Sequence, residues 1–218
     1  MNINIEKDYN DIGYHLHKKA EIELNPGLTV LVGCNGSGKT TLIHQLKRYC
    51  DKNKIRYVHY NNLTDGGSRS VSRAAFLNDF NFVASAWCSS EGENIIMNIG
   101  RIAGEIGARL TKHKEGPFFI FMDAVDSGLS VDNIVDLKET LFKLIIDDCK
   151  NKNIDLYIII SANEYELAKG EQCFNVQSCE YEDIPDYETY RKVILKTRKV
   201  KDKKISALQK RREKQINK

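Results

Sequence analysis

The sequence predicts an α/β sandwich on a largely parallel central sheet, and three observations carry that expectation. Strand-sized apolar runs, Leu28–Val32, Phe118–Met122 and Leu156–Ile160, alternate with segments whose apolar residues recur at helical spacing. The first run ends in a glycine-rich turn that leads into an amphipathic segment. With 41% hydrophobic residues and 3 prolines in 218, the composition suits a folded core and excludes collagen-like or wholly disordered chains.

Taken in order, Leu28–Val32 reads as a buried strand, and Thr40–Cys50 as a helix with Leu42, Ile43, Leu46 and Tyr49 on one side. Ile55–Tyr60 is a second strand. Ser72–Cys88 places Ala75, Phe76, Phe80, Val83 and Trp87 near one helical face, and Asn94–Lys112 does so more cleanly with Ile95, Ile99, Ile102, Ile106 and Leu110. Phe118–Asp123 is a strand running into a turn. Val131–Lys150 is a helix entered through Ser130, a good N-cap residue. Asp155–Ala162 is another strand, Cys173–Val176 and Cys179–Glu182 suit a hairpin, and a charged helix follows Pro185.

Between the first strand and helix, Gly33-Cys34-Asn35-Gly36-Ser37-Gly38-Lys39-Thr40 matches G-x-x-x-x-G-K-[ST] in full. Glycines let the backbone curl so that its N–H groups point at phosphate oxygens. The following helix aims the positive end of its dipole at the same anion. By this reading Lys39 reaches the β- and γ-phosphates of ATP, the Thr40 hydroxyl ligates Mg²⁺, and Thr41 completes the site. The fold expectation sharpens to a three-layer P-loop NTPase sandwich.

Further motifs select a branch. The apolar strand ending in Asp123 has the Walker B arrangement, with the carboxylate holding Mg²⁺. Ser127-Gly128-Leu129-Ser130 resembles the D-loop of ABC-type ATPases, and Ser89-Ser90-Glu91-Gly92-Glu93 resembles their signature motif, with Ser90 and Gly92 at its Ser and second Gly positions. Each also reads as ordinary local structure, the latter as a capped helix start. Together with the phosphate loop they make the chain similar to an ABC-type ATPase. The resemblance implies that Ser90 and Gly92 close over the γ-phosphate of a second copy, so that ATP drives homodimerisation. Lys39 and Ser90 are 51 residues apart, too close for the helical subdomain by which transporter ATPases dock their membrane partner. The opening Ile22–Lys39 is similar to the soluble structural-maintenance-of-chromosomes and RecF-like heads, here without a heptad arm. The resemblance covers roughly residues 1–180, giving an expected ATPase domain over 1–183 and a basic helix or tail over 184–218.

The chain departs from that family at three places. The glutamate that polarises the attacking water is replaced by Ala124, so either Asp126 substitutes or hydrolysis is slow. The switch histidine has no counterpart; Ser161 or Asn163 is positioned to hydrogen-bond the γ-phosphate. The Q-loop glutamine is also missing, leaving Asn61 or Asn62 to supply an amide or merely cap a loop. Tyr14, or Tyr9, stands where transporter ATPases stack an aromatic on adenine, though packing in the core is the more ordinary use of such a tyrosine.

Charge is divided along the chain. Residues 191–218 carry 13 Lys/Arg against Asp202 and Glu213, a local +11, whereas the remaining 190 residues carry −8. That tail suits salt-sensitive nucleic-acid binding, a solvated terminus, or an acidic protein partner. Tyr187, Tyr190 and Ile194 anchor its start, and truncation from Arg191 is expected to spare the nucleotide site. The six cysteines lack CxxC or zinc-finger spacing and read as free thiols. The N-terminus lacks a secretion-signal layout, and no apolar run approaches the roughly 18 residues of a membrane helix. A cytoplasmic protein without membrane contact is expected. The resulting expectation is an ATP-dependent dimer acting on nucleic acid or in a nucleic-acid-handling complex. The alternative is a non-hydrolysing ATP switch read by a partner protein.

Overall fold

In the computed structural model, residues 1–7, 14–65, 89 and 91–216 are described. Two three-residue strands, β1 (Asn2–Asn4) and β2 (Glu21–Glu23), pair antiparallel in a ribbon that the sequence pattern does not announce. The central sheet comprises β3 (Gly27–Val32), β4 (Arg56–Asn61), β5 (Gly116–Asp123), β6 (Ile154–Ser161), β7 (Gln172–Asn175) and β8 (Glu180–Glu182). Their spatial order is β4-β5-β6-β3-β7-β8. All neighbours are parallel except β7 and β8, which form the expected hairpin.

Parallel strands buried on both faces need apolar residues at every position, and β6 supplies them: Ile158, Ile159 and Ile160 are each 0% exposed. Alternate side chains divide between two cores. Ile158 and Ile160 join Phe118, Ile120 and Met122 on one face; Tyr157 and Ile159 join Phe119 and Phe121 on the other. The second face is covered by the β1–β2 ribbon and α1 (Lys39–Asn53), through Leu42, Ile43, Leu46 and Cys50. The short α2 (Asn62–Asp65) follows β4.

The first face is covered by α3 (Glu91–Thr111), whose Ile95, Ile99, Ile106 and Leu110 form the predicted stripe. The 131–150 span packs on the same core through Ile134, Leu137 and Phe142, and it is not one regular helix. It is α4 (Val131–Asp136), a π-helical stretch (Leu137–Phe142) and α5 (Lys143–Lys150). Leu137 and Phe142, five apart, are both buried, and the wider π turn is what brings that spacing onto one face. Ser130 has the extended backbone of an N-cap, but its Oγ accepts from Asn133 Nδ2 at 2.8 Å and not from a backbone N–H.

After α6 (Tyr165–Ala168), the chain ends in α7 (Tyr187–Ile216), a 30-residue helix. Its first half belongs to the body: Tyr190 and Val193 are buried in the first-face core, and Thr197 is 2% exposed. Tyr187 is 56% exposed and meets Tyr165 edge-on. The architecture is thus α/β, with a six-stranded, mostly parallel sheet flanked by helices.

The expected 72–88 helix and Cys88 lie outside the described residues. The other five cysteines are buried free thiols. Burial pushes Cys50 up to about 12 and Cys173 up to about 11, which keeps them protonated and inert. Among the described residues no helix is long and apolar enough to cross a membrane.

Candidate functional site

β3 ends at the carboxyl edge of the sheet between β6 and β7, and the glycine-rich loop leaves it there. Gly33, Gly36 and Gly38 have φ of +149°, +75° and +106°, conformations that L side chains rarely adopt. A Cβ at Gly33 would sit 2.5 Å from Ser37 Oγ. That hydroxyl is buried without a partner in the curl of the loop. Gly38 precedes α1, and a Cβ there would press on His17 Cε1 at 3.3 Å.

Lys39 opens α1 and folds back across the loop. Its Nζ donates to Gly33 O at 2.7 Å and to Asn163 Oδ1 at 3.1 Å, both neutral oxygens. Burial lowers its pKa, against the opposing pull of Cys34, Asp126 and Asp123. An ammonium held in a desolvated nest by neutral partners is poised to gain from an incoming anion.

Asp123, 3% exposed, ends β5. Because β6 lies between β5 and β3, the end of β6 delivers Ser161 between Asp123 and the loop. Ser161 Oγ donates to Asp123 Oδ1 and accepts from Ala124 N–H at 2.9 Å. Asn61 Nδ2 donates to Asp123 Oδ2 at 3.4 Å. Asn62 does something else: its Nδ2 donates to Ser127 O at 2.6 Å while its Oδ1 accepts from Tyr60. Of the two asparagines, Asn61 reaches the site and Asn62 braces the following turn. Gly128 in that turn has φ +81°, a conformation that L side chains rarely adopt, and a Cβ there would displace the Ile95 Cδ1 methyl, 2.7 Å away.

A cavity of about 370 Å³ opens over the loop. Cys34, Asn35, Gly36, Gly38, Lys39, Thr40 and Thr41 line one side. Asp123, Ala124, Ser161 and Asn163 line the other, and half-buried Tyr14 contributes to the wall. Gly33 and Ser37 shape the loop from behind. Ser90 and Tyr9 lie outside the described residues; Gly92 falls in the first turn of α3.

Asp126 is placed differently from the sequence expectation of a water-activating substitute. It is 5% exposed and is not among the residues lining the cavity. Its Oδ2 accepts from the backbone N–H groups of Asn163, at 2.5 Å, and Glu164, at 2.7 Å. The carboxylate therefore anchors the turn after β6 and so aims Asn163 at Lys39.

The principal features missed from sequence belong to α7. Thr197 Oγ1 accepts from Cys34 N–H at 3.0 Å, Lys201 Nζ donates to Asn35 O at 2.9 Å, and Lys204 Nζ donates to His15 O at 2.6 Å. Tyr190 OH donates to Asn163 O at 2.7 Å. The spacing 190, 197, 201 and 204 follows one helix face, but in so cationic a run nothing separates these positions from their solvated neighbours. Truncation from Arg191, expected from sequence to spare the site, would instead remove these supports of the glycine-rich loop.

The residues present fit a magnesium–nucleoside triphosphate: a glycine-permitted cradle, a buried cation with neutral partners, and a hydroxyl-carboxylate pair in Thr40 and Asp123. Among the described residues no group of three His, Cys, Asp or Glu side chains forms a metal cluster, so a divalent ion here would depend on phosphate oxygens for its remaining ligands. No protein-family model matches the chain, and no curated protein sequence matches it.

Proposed function

We propose that the chain is a P-loop nucleotide-binding protein that takes ATP with Mg²⁺ and resembles a reduced ABC-type ATPase head. The observation that carries the reading is Lys39, buried at the start of α1 with two neutral partners and facing Asp123 across a cavity of about 370 Å³. In this reading the loop backbone and Lys39 hold the β- and γ-phosphates, Asn163 borders the γ-phosphate, and Thr40 with Asp123 holds Mg²⁺. Bound Mg²⁺ would neutralise charge on the phosphate oxygens. Tyr14 supplies an aromatic wall for the base. Two copies pair on the nucleotide through Ser90 and Gly92, and the exposed cations of α7 carry contacts to nucleic acid.

Hydrolysis is slow in this reading. Asp123 is the only carboxylate among the described residues lining the cavity, and it is committed to the metal. Ala124 offers no proton acceptor, and Asp126 is tied to two backbone N–H groups. The same observation favours a second reading, an ATP-dependent dimerisation switch whose state a partner protein reads.

Titration calorimetry with ATP and Mg²⁺ tests the core of the proposal. Wild type should bind, and Lys39→Ala should abolish binding with its thermal unfolding unchanged. Equal affinity in the two proteins, or no wild-type binding at millimolar ATP, refutes it.

A further inference from the structure

The phosphate loop touches two cavities. The one over Lys39 shares Cys34, Asn35 and Asn163 with a second, of about 580 Å³, whose far wall is α7. Arg191, Arg198 and Lys201 line that wall. They differ in their commitments. Arg191 pairs with Glu188, and Arg198 lies 3.9 Å from Asp202, both at the exposed surface. Lys201 is half-buried and points at the loop itself, its Nζ on the neutral Asn35 carbonyl at 2.9 Å. The same ammonium lies 3.9 Å from where a Cβ of Gly36 would stand; Gly36 lines the cavity over Lys39, whereas Lys201 itself lines the second cavity and not that one.

We infer that Lys201 is a second cation of the triphosphate site, supplied by α7 of the same chain, that contacts the terminal phosphate and sets preference for a nucleoside triphosphate over a diphosphate. The inference rests on the nucleotide reading above. Its physical basis is position and freedom. Lys39 emerges from the end of the loop where the helix begins, whereas Lys201 approaches from the Asn35–Gly36 side, so the two ammonium groups flank the cradle. Lys201 exchanges one neutral carbonyl for a phosphate oxygen by swinging its flexible four-carbon stem past Asn35 and Gly36 into the neighbouring cavity. Such a charge-assisted hydrogen bond is among the stronger polar contacts available. Thr197 and Lys204, four residues before and three after, hold this face of α7 on the chain through Cys34 N–H and His15 O. The helix thus presents Lys201 at a fixed height.

The test compares ATP and ADP affinities, each with Mg²⁺, for wild type, Lys201→Met, Lys201→Gln and Lys201→Arg. Lys143→Met, an exposed lysine of α5, controls for the loss of one positive charge. Removing one charge-assisted contact should weaken ATP binding about tenfold to a hundredfold and ADP binding less than about twofold, collapsing the ATP-to-ADP ratio. Lys201→Arg should restore most of that ratio, and Lys143→Met should leave it unchanged. A purely structural role for Lys201 would weaken ATP and ADP alike, and that outcome overturns the inference. An unchanged ratio in Lys201→Met and Lys201→Gln, in a protein whose ATP binding still depends on Lys39, overturns it while leaving the nucleotide reading intact. Failure of wild type to bind ATP removes both.

Discussion

Replacing Asp126 with alanine should destabilise the protein by about 1–5 kcal/mol, because this carboxylate holds a turn together. Oδ2 accepts two backbone N–H groups, at 2.5 and 2.7 Å, from a side chain only 5% exposed. A hydrogen bond to a charged group contributes about 1.5–3 kcal/mol net, so two contribute about 3–6 kcal/mol. Against this, Oδ1 is buried with no partner, and deleting it relieves a desolvation cost of about 1–2 kcal/mol. Asp126→Asn keeps an acceptor oxygen but loses its charge, and should cost about half as much. Urea denaturation provides the assay: both variants should lower the midpoint at unchanged m. Any residual ATP turnover, measured well below the midpoint, should fall only modestly in Asp126→Asn. If Asp126→Ala is as stable as wild type yet loses a brisk wild-type turnover, Asp126 is the water-activating group and the anchoring argument is wrong.

Ala124 sits at φ +52°, so Ala124→Gly should stabilise by about 0.5–1 kcal/mol in thermal unfolding. Ala124→Glu, at the cavity wall, should raise ATP turnover; an unaltered rate would mean that water activation is not what limits hydrolysis. His17 is 0% exposed with its Nδ1–H on Val176 O at 2.7 Å. Burial lowers its pKa from 6.5, and Lys204 adds to the effect against that hydrogen bond. The unfolded chain therefore takes the proton first. This residue's contribution is complete above pH 6.5 and is lost as pH falls through the lowered folded value. Urea midpoints between pH 8 and 5.5 should show a slope that His17→Gln reduces; an identical slope refutes the assignment. Removing residues 209–218, beyond every α7 contact to the loop, should leave stability and ATP affinity unchanged. If about five tail cations each neutralise one phosphate, log K for duplex DNA falls with log salt at a slope near −4.5 in the intact chain. The truncation should flatten that slope, and full retention would move the nucleic-acid surface elsewhere.

Local chemistry made much of this legible in the sequence. The alternation of apolar runs with helical stripes is a property of consecutive residues, and it placed β3, β5, β6, α1 and α3 within a few residues of their ends. The tight curl of the glycine-rich loop could be read for the same reason: the three positive-φ positions and Lys39 lie within seven consecutive residues. Three-residue strands such as β1 and β2 are too short to show alternation, and a π turn leaves no periodic mark in so short a span.

What tertiary structure alone decided are contacts between residues distant along the chain. Lys39 meets Asn163 across 124 residues, Asp123 meets Ser161 across 38, and Lys201 meets Asn35 across 166. Strand order brings the first two pairs together, because β6 inserted between β5 and β3 carries Ser161 and Asn163 to the loop. The role of Asp126 turned on the same placement, since its N–H partners follow β6. The position of α7 turned on burying Tyr190 and Val193 against the sheet's first face, which rotated Thr197, Lys201 and Lys204 onto the glycine-rich loop and His15. A run of lysines has the same composition whether it faces water or a loop, and only the packing of the apolar residues between them selects which lysines turn inward.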